Sequence, residues 1–348
     1  MALAAACGGN GGTAATDPAT EGDGTEGEAT VRVGQVVPSL GFVSLDVARA
    51  DGMFAKRGID LEWSLLSGGD PATLAALDGG NIDIAAIGSQ TPVTAISKGE
   101  EYQIIYSLMS QMSIDLTMSN AHLKEVGISA DDPVEEKLQA LKGATIGVSA
   151  LGGAQDRIAR WLADRAGLDP EADLEIVLVG PPPALRAGLE NGNIDGFVLT
   201  APTGQLVEEA GAGTVLVELG SEIDELSSYD HLILVIRKDY GEQNREVVVR
   251  TLQALIEADR RVAEDAGGTA ELLHANDYEE VPLPLLTASV KSLQGGVGHS
   301  GRLNVENIAF LLEFTAATGY EFDRDLDAAE GEGDWWTNEF IDLAIEGA

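Results

Sequence analysis

One pattern occurs twice in this chain and constrains the fold more than any other feature. Residues 71–87 read P-A-T-L-A-A-L-D-G-G-N-I-D-I-A-A-I, and residues 183–199 read P-A-L-R-A-G-L-E-N-G-N-I-D-G-F-V-L. At a shift of 112 (183 − 71), Pro, Ala, Ala, Leu, Gly, Asn, Ile and Asp coincide. Each copy predicts a helix, a stop and a strand. Pro71 and Pro183 suit a first helical turn, where a missing N–H leaves no bond unmade, and Asp70 is placed to cap the first helix. Gly79, Gly80 and Gly192 supply the open or left-handed backbone that ends it. The apolar runs Ile82 to Ile87 and Ile194 to Leu199 then read as buried strands. A second pair agrees: V-R-V-G-Q-V from Val31 matches A-T-I-G-V-S from Ala144, with Gly34 and Gly147 separated by 113 (147 − 34). Self-similarity in register with structural punctuation signals internal duplication. The expectation is two similar α/β lobes with a cleft between them. Asp83 and Asp195 recur in both copies, which predicts a structural task at the helix–strand turn.

Composition narrows the function. A chain of 348 residues with 44% hydrophobic content can fill two domain cores, and no apolar run approaches the length of a membrane-spanning helix. The formal charge is −37, with 7 Lys and 14 Arg. No basic stripe follows a phosphate backbone, so nucleic acid is not an expected partner. His122, His231, His274 and His299 are scattered without metal-ligand spacing, and no nucleophile elbow or H-E-x-x-H occurs. Catalytic residues, metal ligands and cofactors are therefore all expected to be none.

Cys7 is the only cysteine, which excludes a disulfide within the chain. Leu3-Ala4-Ala5-Ala6-Cys7-Gly8 resembles the end of a bacterial lipoprotein signal, with Cys7 as the lipidated mature N-terminus. The usual basic and hydrophobic parts do not precede it, so the expected start is truncated. Residues 8–30, rich in Gly, Thr, Asp and Glu, read as a flexible acidic tether.

In open α/β sheets, ligands bind in the loops beyond the carboxyl ends of the strands. The strand from Val31 ends at Pro38-Ser39-Leu40-Gly41-Phe42. Then come G-M-F-A-K-R-G-I-D-L-E-W from Gly52, Ser67-Gly68-Gly69-Asp70, the first G-N-I-D unit, and a helix ending at Ala95-Ile96-Ser97-Lys98-Gly99. This order, with Leu141-Lys142-Gly143-Ala144-Thr145-Ile146-Gly147-Val148 and the second G-N-I-D unit, resembles the substrate-binding proteins of nitrate, sulfonate and taurine ABC transporters. That group, NMT1/THI5-like and SsuA-like, includes thiamine-precursor proteins. The resemblance covers roughly residues 31–261. It implies a periplasmic-binding-protein fold of type II kind: two α/β lobes joined by two hinge crossings, with a ligand cleft between them. Residues 1–30 are assigned to leader and tether, 31–111 plus 230–348 to the first lobe with C-terminal helices, and 112–229 to the second lobe. The crossings are expected near Met109 to Leu116 and Tyr229 to Leu234, with Asp115 to Met118 and Leu232 to Val235 as extended hinge segments. Helices are expected at Arg245 to Val262, Pro284 to Leu293 and Val305 to Thr318. The pair Trp335-Trp336 reads as packing for the C-terminal helix.

Equivalent lobes bring six loops to the cleft. The first lobe offers Ser39, Leu40, Gly41 and Phe42; Ser67, Gly68 and Gly69; and Ser89, Gln90 and Thr91. The second offers Ser149, Leu151, Gly152, Gly153 and Ala154, then Gly180 to Pro183, then Thr200 and Pro202. Gln111 and Tyr229 stand at the crossings. Hydroxyl, amide and glycine groups dominate, as suits a small polar molecule. Ser149 to Ala154 is the sharpest candidate, because its glycines open backbone N–H groups at the start of a helix, an end that favours negative charge. None of these loops holds Lys or Arg, so the ligand's charge stays open unless Arg157 or Arg186 reaches back from its helix.

Three functions compete. The first is a monomeric, lipid-anchored solute receptor outside the cytoplasm, delivering its ligand to a membrane permease. The second is a THI5-like enzyme of thiamine-pyrimidine synthesis, which requires a reactive site rich in histidine and cysteine. The third is a regulator's effector domain, which requires a DNA-binding element. The first fits best.

Overall fold

The structure, a computed structural model, describes residues 28–66, 68–297 and 300–347. Cys7, Ser67 and His299 lie outside the described residues, as does residues 1–27 of the expected leader and tether.

Among the described residues, ten strands run in the order β1 (Ala29–Gln35), β2 (Ile59–Leu65), β3 (Ile84–Gly88), β4 (Tyr102–Met109), β5 (Ile114–Ser119), β6 (Thr145–Val148), β7 (Glu175–Leu178), β8 (Gly196–Thr200), β9 (Gly213–Glu218) and β10 (Leu232–Arg237). They form two five-stranded sheets, ordered β2-β1-β3-β10-β4 and β7-β6-β8-β5-β9. The orders are one plan used twice. In each sheet the fourth strand runs antiparallel to both neighbours, and the first three strands are parallel.

The repeated residues make repeated contacts. Gly34 leaves room for Ile82, whose Cδ1 would lie 2.7 Å from a Cβ there; Gly147 does the same for Ile194, at 2.6 Å. Gly80 and Gly192 hold φ of 66° and 70°, conformations that cost other residues more than glycine. The Asp83 carboxylate accepts the Arg32 backbone N–H at 2.9 Å, and Asp195 accepts that of Thr145 at 2.8 Å. In return, the Asp83 and Asp195 N–H groups each donate to the same partner's carbonyl at 2.8 Å. Asp83 also pairs with the Arg32 guanidinium. These aspartates fasten the start of β3 to β1 and the start of β8 to β6.

The segments expected as extended hinge strands, Asp115 to Met118 and Leu232 to Val235, are extended and lie inside β5 and β10, next to the passages between the sheets and each hydrogen-bonded on both sides. Their largely buried apolar side chains explain the placement. The links between the sheets, residues 110–113 and 219–231, run side by side in opposite directions. Tyr229 N–H donates to Ser110 O at 3.1 Å, His231 N–H to Met109 O at 2.9 Å, and Met112 N–H to Leu226 O at 2.9 Å.

C-terminal helices Arg245–Glu264, Ala266–Asn276, Leu283–Leu293, Val305–Ala317 and Glu339–Glu346 complete the described chain. The tryptophan pair guards a sheet edge. Ile104 N–H of edge strand β4 donates to Trp335 O, Thr337 N–H donates to Ile104 O, and the buried Trp336 indole donates to Ala328 O at 2.7 Å. This occupies backbone groups that an open edge would offer to another chain.

Candidate functional site

Two clusters form where the loops of the two lobes meet. In the first, Ser39 caps a short turn by accepting the Gly41 N–H at 3.1 Å. Leu40 and Phe42 send their side chains into the core, so a ligand role for either is confined to backbone. Leu40 N–H reaches across to Ala201 O at 3.4 Å, next to Pro202. Ser113 Oγ lies 3.3 Å from Thr200 Oγ1 and 2.9 Å from His231 Nδ1. Burial lowers the His231 pKa to about 3, so the ring is neutral near physiological pH. Gly41 is closely packed: a Cβ there would stand 2.5 Å from Leu232 Cδ1. This cluster is an interlobe contact already satisfied by the protein.

The second cluster is more open and carries charge. Ser89 Oγ donates to the buried Tyr229 hydroxyl at 3.2 Å, Gln90 Nε2 donates to Thr318 Oγ1 at 2.6 Å, and Thr91 Oγ1 donates to Asp70 Oδ2 at 3.1 Å. Asp70 was expected as a helix cap. The cap position of Gly69–Asp78 is instead Gly68, with no side-chain cap bond, and the Asp70 carboxylate turns inward over Gly88. Desolvation pushes its pKa up to about 6, although the Thr91 hydroxyl and Gly88 backbone pull the other way. Tyr320, partly buried, reaches Thr91 with its hydroxyl; burial raises its pKa and that of Tyr229, so both phenols stay protonated. Arg157 arrives from the other lobe. It donates to Gly319 O at 2.6 Å, Thr318 O at 3.2 Å and Gly152 O at 3.0 Å, with its guanidinium 4.1 Å from the Tyr320 ring centroid. Trp161 and Tyr229 each stand edge-on to Phe314 at 5.1 Å. A groove of ≈ 400 Å³ opens beside this contact, between Gly152, Arg157, Trp161 and Thr318.

Other candidates fall elsewhere. The Ser149 to Ala154 loop spends N–H groups on its own chain: Ser149 donates to Gln155 Oε1, Gly152 to Asp156 Oδ2 and Gly153 to Ala150 O. Asp156 thereby occupies a backbone N–H that was expected to face a ligand. Leu151 is 59% exposed at the rim. Gly68 and Gly69 shape the turn at φ 112° and 72°. Gln111 packs against Gly295 and Gly296 in a separate recess with Asp115 and Glu218, apart from Asp70. Arg186 pairs with Glu190 at 2.7 Å on its own helix. Sequence reading missed Thr318 and Tyr320, which follow a helix outside the duplicated region and carry no periodic signal.

Comparison with known proteins adds a family to this geometry. The sequence matches the NMT1-like family over residues 24–274. It is 22% identical to the putative binding protein YtlA of Bacillus subtilis, over 67% of this chain and 66% of that protein. It is 25% identical to the nitrate/nitrite binding protein NrtA of Synechococcus elongatus, over 89% of this chain and 73% of that one. Its fold is similar to the crystal structure of the periplasmic aliphatic sulphonate binding protein SsuA from Escherichia coli, with TM-score 0.65 and 17% identity, covering 88% of this chain and 97% of that one.

Proposed function

The chain belongs to the NMT1-like family and has the periplasmic-binding-protein fold, and on that premise we propose that it is the extracytoplasmic solute receptor of an ABC importer. Its two lobes close on a small polar organic ligand and present the closed form to a membrane permease. One observation carries the reading: two sheets of one strand order bring their loops together across a pair of antiparallel links. That arrangement lets a solute bind both lobes at once. Its differential affinity for the closed form is what drives closure.

Lipidation at Cys7 belongs to the same proposal, and would tether the receptor to the outer face of the membrane by residues 8–28, the expected tether shortened because Ala29 and Thr30 of β1 pair with Ile59 and Asp60 of β2. Among the described residues, no helix is long and apolar enough to cross a membrane. The ligand contacts we assign are Ser89, Thr91, Tyr229 and the neighbouring loop backbone, with no catalytic residue and a monomeric state.

The test is a melting-temperature screen of the purified protein against sulfonates, nitrate, aromatic acids, amines and pyrimidine- or flavin-like compounds. A saturable rise with at least one class is expected. No rise with any, or chemical conversion of a bound compound, overturns the receptor reading.

A further inference from the structure

The internal duplication supplies a control for reading Asp70. At a shift of 112, Gly68 coincides with Gly180, and both hold positive φ, 112° and 124°. Ala72 and Ala184 also coincide, and each is the neighbour a Cβ at its glycine would meet first. Loop and helix start are therefore built twice on one plan, yet Asp70 coincides with Pro182. Asp83 and Asp195 behave oppositely: both copies keep the acid, because both use it to hold the adjacent strand. Starting this helix does not require a carboxylate, since the second lobe starts its own with proline.

What Asp70 does have is spare capacity at the lobe interface. Its donors are the Thr91 hydroxyl and the Gly88 backbone, whereas a carboxylate offers about four acceptor positions. Among the described residues no Lys or Arg forms an ion pair with it, and even partial burial of a carboxylate without a counter-charge is costly. The cation that comes near this cluster, Arg157, already donates to three carbonyls. The phenols of Tyr229 and Tyr320 feel the Asp70 charge, and aromatic rings beside a carboxylate suit an organic cation.

We infer that the solute bears a protonated amine or another positively charged nitrogen, which docks on Asp70 beside Tyr229 and Tyr320, and that simple inorganic anions are not its ligands. This rests on the receptor reading and names the chemical class of its ligand.

Calorimetric titration tests it with paired probes: taurine against propane-1-sulfonate, which replaces the ammonium by a methyl group, and benzylamine against nitrate. Taurine or benzylamine should bind while propane-1-sulfonate and nitrate do not. Asp70→Asn should weaken the bound amine on the order of ten- to hundredfold, the loss expected for a charge-assisted hydrogen bond. Thr91→Val, which removes only the hydroxyl that orients the carboxylate, should weaken it less. Melting curves of both variants establish that they fold. Binding of nitrate or propane-1-sulfonate as tight as that of taurine, or unchanged amine affinity in folded Asp70→Asn, overturns the inference and leaves the receptor reading standing. If neither amine binds while the wider screen finds only ligands lacking a basic nitrogen, the inference also falls; if that screen finds no ligand, both readings fall.

Discussion

At the residue scale, the same side chain does two different jobs in this protein, and its surroundings decide which. Asp83 and Asp195 are pinned by backbone donors, and Asp83 by a guanidinium as well. Replacing either with Ala strands a strand N–H and should cost about 1–3 kcal/mol of stability, the larger loss at Asp83, with ligand affinity unchanged in the fraction that stays folded; denaturant melts and titration check this. Asp70 is the contrary case. Its pKa is raised from 3.8 to about 6 in the folded chain by desolvation, with Thr91 and Gly88 opposing, and Tyr229, Tyr320 and Arg157 nearby. The native state then holds its proton more tightly than the unfolded chain, so its contribution to stability falls as pH rises from about 4 to about 6. Asp70→Asn should accordingly make the ligand-free protein more stable than wild type by about 1–3 kcal/mol at pH 7.5, with the gap closing near pH 4. Denaturant melts at both pH values read the difference. A variant less stable than wild type at pH 7.5 would mean the charge holds the fold together.

At the element scale, the helix–stop–strand unit is stabilised by absent atoms. A Cβ at Gly147 would lie 2.6 Å from Ile194 Cδ1 and 2.9 Å from Leu185 Cδ2. Gly147→Ala should cost about 1–3 kcal/mol by overpacking, and adding Ile194→Val, which removes the nearest methyl, should recover part of it. A double-mutant cycle measures the coupling; strict additivity would show that the two residues do not share this space. The same unit explains what was legible in the sequence. Proline at a helix start, glycine at its end and an apolar run beyond are local signals, so the lobes, their order and the structural role of Asp83 and Asp195 could be read from the chain. The inward turn of Asp70 could not, because an acid at a helix start looks the same whether it caps or faces a neighbour. Nor could Thr318 and Tyr320, since the Gln90–Thr318 bond joins residues 228 apart and no period relates them. The glycine loop at Ser149 to Ala154 misled because glycine shows that N–H groups are accessible, and not that Gln155 and Asp156 already hold them.

At the scale of the whole molecule, charge and the proposed closure of the lobes are the properties to test. A formal charge of −37 opposes compaction by self-repulsion, which salt screens over a Debye length of about 8 Å at physiological ionic strength. The melting temperature should therefore rise as NaCl goes from about 10 mM to about 1 M, where the Debye length is about 3 Å. Arg157 is the tie most exposed to test between the lobes. Arg157→Ala removes its bonds to Thr318, Gly319 and Gly152, and should favour the open form and weaken ligand by the resulting drop in the closed fraction. Scattering in solution should show a larger radius of gyration for the ligand-free variant.

The proposed closing movement is measurable between Leu65 and Leu178, exposed residues at the ends of the outer strands β2 and β7. With Cys7→Ser removing the native thiol, spin labels at these two positions report their separation by pulsed electron resonance. Adding the compound that raises the melting temperature should shorten the distance and narrow its distribution; a distribution unchanged at saturating compound would show that these lobes do not close on their ligand.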